Sequence, residues 1–207
     1  MDELYILNDG VLAMRPLTLE DSPLIVAWRN NPRVRCRYVY RELFTLEGQK
    51  RYFHTRVETG KVAQFIFCEK ETGRPIGCSV LDDLRPGESA EYGNWIGEDD
   101  AVGKGYNARI VRLTAAYAFR ELDLKYIVCR IFADNPASIK GCERGGFRII
   151  EKLPDVECSD GTKADMVLMR MDAKEVLSLG AGGQAGTDDT GQQGPEKKNL
   201  KSLGQDW

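Results

Sequence analysis

The stretch Gly97-Glu98-Asp99-Asp100-Ala101-Val102-Gly103-Lys104-Gly105-Tyr106-Asn107-Ala108 decides how this chain is read. It follows a strand-like run, Ala90 to Ile96, and opens a helix-like run that continues to about Phe119. A strand, a glycine-punctuated loop and a helix N-terminus together form an anion site. Unpaired backbone N–H groups and the positive end of the helix dipole converge there. Gly103 and Gly105 permit a tight turn and a close approach to a ligand, which a Cβ would hinder. A phosphorylated cofactor is expected at this loop.

The 207 residues, 42% of them apolar, suffice for one cored domain or one domain plus a tail. No run of about 18 apolar residues occurs, so no membrane-spanning helix and no membrane partner are expected. The start Met1-Asp2-Glu3 lacks the pattern of a signal peptide. Six cysteines with no C-x-x-C pair fit reduced thiols in a cytoplasmic protein. His54 is the sole histidine, which excludes a His-rich metal centre, and no metal is expected. From Arg29 to Lys61 nine basic residues stand against three acids. That bias is either a solvated helical face or a surface that attracts an anionic substrate. Nucleic acid is not expected, because no interleaved aromatic platform accompanies the charge.

Along the chain, Val11 to Pro16 reads as a first strand and Thr18-Leu19-Glu20-Asp21 as a capping-box helix start. The first helix should end near Asn30-Asn31-Pro32. A second helix is expected from Leu46 to Glu58, and a three-stranded meander from Val62 to Ile96. After the central helix come a buried strand, Lys125 to Phe132, and a short helix from Asn135 to Gly145. A final strand pair follows, Phe147–Lys152 and Ala164–Met171, joined by a polar loop. From about Ser178 the Gly/Gln-rich composition cannot bury enough apolar surface to offset its ordering entropy. Residues 178–207 are therefore expected to be a disordered tail behind a domain at 1–177.

Two local patterns carry a resemblance. The first is Glu91-Tyr92-Gly93-Asn94-Trp95-Ile96 followed by Gly103-Lys104-Gly105-Tyr106; the second is Asn135-Pro136-Ala137-Ser138 with Gly146-Phe147. With the element order, they resemble the GNAT superfamily of N-acetyltransferases, in the branch that acetylates ribosomal-protein termini and amino sugars. The resemblance covers about Leu12 to Met171. It implies a mixed α+β fold: a central, mostly antiparallel six- to seven-stranded sheet, splayed in the middle and flanked by about four helices. It also implies acetyl-CoA as co-substrate and direct attack by an amine on the thioester, with no acyl-enzyme.

The resemblance assigns cofactor contacts to Trp95, Ile96, Val102, Gly103, Lys104, Gly105, Tyr106, Asn107, Asn135 and Ser138. For Asn135 and Ser138, a helix cap and a first-turn residue are the plain alternatives. Glu91 falls where a carboxylate deprotonates the amine through water, the alternative being a surface Glu on a strand. Cys142 falls where many relatives carry the Tyr that protonates the leaving thiolate. Ordinary packing is the alternative for that thiol, and Tyr106, Tyr117 or solvent are other candidate donors. Many relatives have Gln or Arg where this chain has Asp100, and the acids 98–100 would compete with a diphosphate for the helix end. Ala27-Trp28-Arg29-Asn30-Asn31-Pro32-Arg33-Val34-Arg35 resembles a stretch of amino-sugar acetyltransferases, which implies acceptor contacts at Trp28, Arg29, Arg33 and Arg35. The acceptor is then a small-molecule amine, with a nucleotide-linked amino sugar first, or a protein N-terminus. A homodimer is left open. The competing reading is a catalytically degenerate acyl-CoA-binding regulatory module.

Overall fold

The computed structural model describes residues 4–174. The expected tail at 178–207, and the domain boundary at 177, lie outside the described residues. Among the described residues eight strands form one sheet: β1 (Leu7–Asn8), β2 (Leu12–Pro16), β3 (Ala63–Glu69), β4 (Pro75–Arg85), β5 (Ser89–Ile96), β6 (Tyr126–Phe132), β7 (Arg148–Glu157) and β8 (Lys163–Asp172). Their order is β1-β2-β3-β4-β5-β6-β8-β7. Every pairing is antiparallel except β5 with β6. The sheet thus has one strand more than the six or seven expected. The extra one is the two-residue β1, too short to leave a periodic signal.

Among the described residues five helices flank the sheet: α1 (Ser22–Asn30), α2 (Pro32–Arg35), α3 (Leu46–Tyr52), α4 (Tyr106–Arg120) and α5 (Pro136–Gly145). About four were expected. The difference is α2, which restarts at once after the break because Asn31 caps it by accepting from the Arg33 N–H. The second expected helix also changes character: α3 stops at Tyr52 and Phe53–Val57 continues as a π-turn. The expected polar loop before the last strand shrinks, since β7 runs on to Glu157 and β8 starts at Lys163.

The two faces of the sheet have separate cores. On one face α4 buries Ile110, Val111, Leu113, Ala115 and Ala118 against Leu81, Ala90, Tyr92 and Ile127. Each large side chain so buried contributes about 1.5–3 kcal/mol. A buried Ser79–Thr114 hydroxyl pair at 2.8 Å ties α4 to β4. On the other face α1 and the 31–45 segment cover Ile66, Cys78 and Trp95 with Ile25, Trp28 and Val34. The period-2 alternation of β5 sends Tyr92 to the α4 face and Glu91 and Trp95 to the α1 face.

Candidate functional site

β5 and β6 run side by side for three residue pairs only, Ser89–Tyr126, Ala90–Ile127 and Glu91–Val128. Beyond them Tyr92–Ile96 bonds to β4 alone, and Cys129–Phe132 to β8 alone. The parted strands leave two facing rows of main-chain polar groups, a slot into which an extended amide chain fits as an added strand would.

The anion loop lies at the far end of that slot. Gly103 and Gly105 have φ of 82° and 77°, and a Cβ on either would project into open space. Gly105 is the left-handed residue before α4 and makes no side-chain cap. The N–H groups of Gly103, Lys104 and Gly105 have no partner among the described residues. A diphosphate fits this arrangement: free donors, a helix dipole and a cradle that side chains would fill.

The three acids of the loop are already engaged. Glu98 accepts from the Trp28 indole N–H at 2.8 Å. Asp99 pairs with Arg33 at 2.7 Å, and Asp100 with Arg74 at 3.0 Å. Hydrogen bonds from Arg33 and Arg74 hold both aspartates below their ordinary pKa. The expected competition with a diphosphate is therefore relieved by arginines that sequence distance concealed. Lys104 lies 3.7 Å from Glu69, which also accepts from Tyr106. Val102 is half exposed beside them.

Asn107 accepts from Asn94 of β5 at 2.8 Å, and its amide presses against Gly141 of α5 so closely that a Cβ there would overlap it. This side chain locks β5, α4 and α5 together behind the slot. Asn135 caps α5 by accepting from the Ser138 N–H at 3.3 Å. Cys142 is buried and free; its thiol, together with burial, pushes the pKa of the neighbouring free thiol of Cys129 on β6 well above the ordinary value. Tyr117 packs edge-on against Phe65 of β3, and the Tyr106 hydroxyl donates to Glu69.

Glu91 stands where the strands part and is held in a two-point ion pair by Arg130 of β6, at 3.0 and 2.9 Å. Arg130 was not foreseen; it lies two residues beyond Val128, the β6 partner of Glu91, and that diagonal reach becomes visible only with the β5–β6 pairing. Tyr92, next to it and on the opposite face, was also missed. Its side chain is 3% exposed and its hydroxyl has no hydrogen-bond partner among the described residues. Burial, then the nearby Cys142 and Cys129 thiols, push its pKa well above the ordinary tyrosine value.

The four residues expected at the acceptor take different places. Trp28 is buried under Gly97. Arg33 clamps the loop through Asp99 and the carbonyls of Ile96 and Gly97. Arg35 is half-buried and no acid bonds it among the described residues. Arg29 is 4% exposed, its guanidinium 3.4 Å from the centre of the Tyr38 ring. Much of the basic bias from 29 to 61 is spent internally, in ion pairs such as Arg37–Asp134, Arg41–Asp160 and Arg56–Asp82. His54 bonds Glu58 on the surface.

A splayed sheet with a glycine anion loop at its divergence has counterparts among known proteins. The family described as Acetyltransferase (GNAT) domain matches residues 12–148. This chain belongs to that family. GNAT proteins are acetyl-CoA-dependent acetyltransferases, and this chain is one of them. Among relatives, an uncharacterized N-acetyltransferase of Bacillus licheniformis is 25% identical over 79% of this chain and 94% of its own length. An uncharacterized protein of Methanocaldococcus jannaschii is 27% identical over 70% of this chain, an alignment that spans 30% of the relative. A solved spermidine N-acetyltransferase of Vibrio cholerae, in complex with CoA and spermine, superposes with TM-score 0.75 and 20% identity, over 82% of this chain and 99% of that one. At that identity the likeness concerns the GNAT fold. No helix among the described residues is long and apolar enough to cross a membrane, and none of them form a metal-holding cluster of His, Cys, Asp or Glu.

Proposed function

We propose that this GNAT domain moves the acetyl group of acetyl-CoA directly to the primary amine of a small anionic acceptor. The amino-sugar and N-terminal branches of the family, rather than polyamine acetylation, supply the frame for that acceptor. The observation that carries the reading is the slot between Tyr92–Ile96 and Cys129–Phe132, in line with the free N–H groups of Gly103 to Gly105. The diphosphate would rest on residues 102–107, with the pantetheine amides along the open edges at Trp95–Ile96 and near Asn135 and Ser138. When bound, acetyl-CoA supplies the thioester carbonyl that the amine attacks.

The chain's own groups then have three tasks. Glu91, fixed in plane by Arg130, keeps a second lone pair on each oxygen to take a proton from the amine through water. The open-edge N–H groups of β5 are donors for the developing oxyanion. For the leaving sulfur, the donor is the Tyr92 hydroxyl, buried and protonated throughout the working pH range, with Cys142 as its neighbour. A polyamine fits poorly, because no acid lines the buried space around Arg29. Release of free CoA thiol, followed with a panel of amines at neutral pH, tests the proposal. Thiol above the blank for at least one amine is expected. Binding of acetyl-CoA without turnover of any amine would favour the regulatory acyl-CoA module instead.

A further inference from the structure

Glu91, Gly93 and Trp95 are alternate residues of β5, so they stand in a row on the α1 face of the sheet. Trp95 is buried, with the Tyr38 ring edge-on to it at 6.0 Å. Glu91 is tied to Arg130 of β6, a bridge between the two strands where they part. Between these two covers Gly93 is half-buried and offers main chain alone. A glycine inside a strand weakens it, and marks a bulge, a bend or the close approach of another group. Here no bulge falls, since Gly93 pairs in regular register with Val80 of β4, and its φ is not left-handed. A Cβ on it would meet Val80 Cγ1 at 3.2 Å, tight by only a few tenths of an ångström. Backbone geometry therefore does not ask for glycine at this position; a close approach does.

Lengths along the strand decide what approaches. With pantetheine amides along Trp95–Ile96, the last amide nitrogen is four bonds from the thioester carbon, about 5 Å when extended. Two residues of strand span about 6.6 Å, so the thioester arrives beside Gly93 and short of Glu91. With its carbonyl oxygen on an open-edge N–H of β5, the thioester lies in the plane of the sheet, and an amine attacks it perpendicular to that plane. The α4 side is closed, by the buried Tyr92 and by Asn94 bonded to Asn107. The α1 side is open at Gly93. From there a water links the amine to Glu91, two residues on, because two hydrogen bonds of about 2.8 Å nearly fill the distance.

We infer that Gly93 is the port through which the amine reaches the thioester, and that the residue at this position sets the steric limit of the acceptor. The inference rests on the acetyl-transfer reading above and adds to it the side of attack and a specificity-determining position. Hydrogen in place of a side chain leaves room for a branch on the carbon that bears the nitrogen. The acceptor class is therefore an amine on a branched carbon, as in amino sugars and most amino acids. A methyl at 93 takes that room from the acceptor and leaves the cofactor's hold on the slot intact.

The test measures thiol release with matched amines, alanine against glycine and alaninol against ethanolamine, with UDP-glucosamine alongside. Wild type, Gly93→Ala and Gly93→Val are compared. The wild type should turn over at least one amine on a branched carbon, a result that does not depend on whether either variant folds. Gly93→Ala should lower kcat/KM for that amine by about 10- to 200-fold, the range for one methylene too many in a tight site. An unbranched amine should lose less, and Gly93→Val should lose more than Gly93→Ala. The calorimetric Kd of acetyl-CoA should not change. Val80→Ala added to Gly93→Ala relieves the tight contact, and should restore the melting temperature without restoring turnover. Undiminished turnover in Gly93→Ala, an equal fall for branched and unbranched amines, or a matching loss of acetyl-CoA affinity overturns the port. So does turnover regained with Val80→Ala, or wild-type turnover confined to unbranched amines; each of these leaves acetyl transfer intact. Acetyl-CoA bound without thiol release from any amine overturns the transfer reading and the port with it.

Discussion

The backbone of Gly97 lies flat on the indole of Trp28, so close that a Cβ at Gly97 would overlap Cδ2, Cε2 and Cγ of the ring. The same indole donates to Glu98 at 2.8 Å. Helix α1 is thereby pinned to the loop that ends β5, at the residue where the main chain turns toward Gly103. Gly97→Ala must push the ring aside, and overpacking of that kind costs about 1–3 kcal/mol. A lowered melting temperature and a weaker acetyl-CoA affinity are expected together, measured by thermal melts with and without the ligand.

Gly105 tests the anion loop with little packing involved. At φ 77° with nothing near its hypothetical Cβ, Gly105→Ala carries only the left-handed penalty, about 1–2 kcal/mol. Its methyl would occupy the space assigned to the diphosphate. Calorimetry should show a loss of acetyl-CoA affinity larger than the loss of stability implies. Equal affinity in the two proteins would place the diphosphate elsewhere.

Glu91→Gln keeps the shape of the Arg130 contact but removes the proton acceptor. The fall in kcat/KM should be about 10²- to 10⁴-fold at neutral pH, as for loss of a general base. It should shrink as pH rises and free amine becomes plentiful. A constant fall across the pH range would leave Glu91 as a strut for Arg130.

Among the described residues the buried Tyr92 hydroxyl has no partner, and an unsatisfied buried group costs about 1–3 kcal/mol. Tyr92→Phe should therefore hold or raise the melting temperature while lowering kcat. Stability gained with full activity retained would remove Tyr92 from the mechanism.

Asp21 gives a stability prediction away from the site. Burial pushes its carboxyl up, but two bonds from Arg15 at 2.7 Å and one from the Thr18 N–H hold it below the ordinary value of 3.8. A depressed folded pKa stabilises fully above the unfolded value, about 3.9, and the gain fades as pH falls through the lower folded value. Acid melts of Asp21→Asn should show less loss of stability below pH about 4 than the wild type does.

What the sequence revealed and what it hid follow from range. The Gly103-Lys104-Gly105 loop and the Asn135 cap are local chemistry, and both lie where the spacing puts them. Strand β6 and helix α4 were legible from continuous hydrophobic patterns. The partners of Glu98, Asp99 and Asp100 are 26 to 70 residues away, so the acids look like unrelieved competitors for a phosphate until the fold brings the arginines in. Arg29 resembled one more basic rim residue. It lies one turn after Ile25 on the buried face of α1, but its charge reads as a surface residue, and its burial against Tyr38 and Trp95 is a tertiary fact.

Hydrogen exchange with and without acetyl-CoA tests the central claim most directly. The account predicts new protection at the open-edge amides between Tyr92 and Ile96 and at residues 103–107, with little change along β2 and β3. Saturating acetyl-CoA that leaves both segments exchanging as before would contradict it.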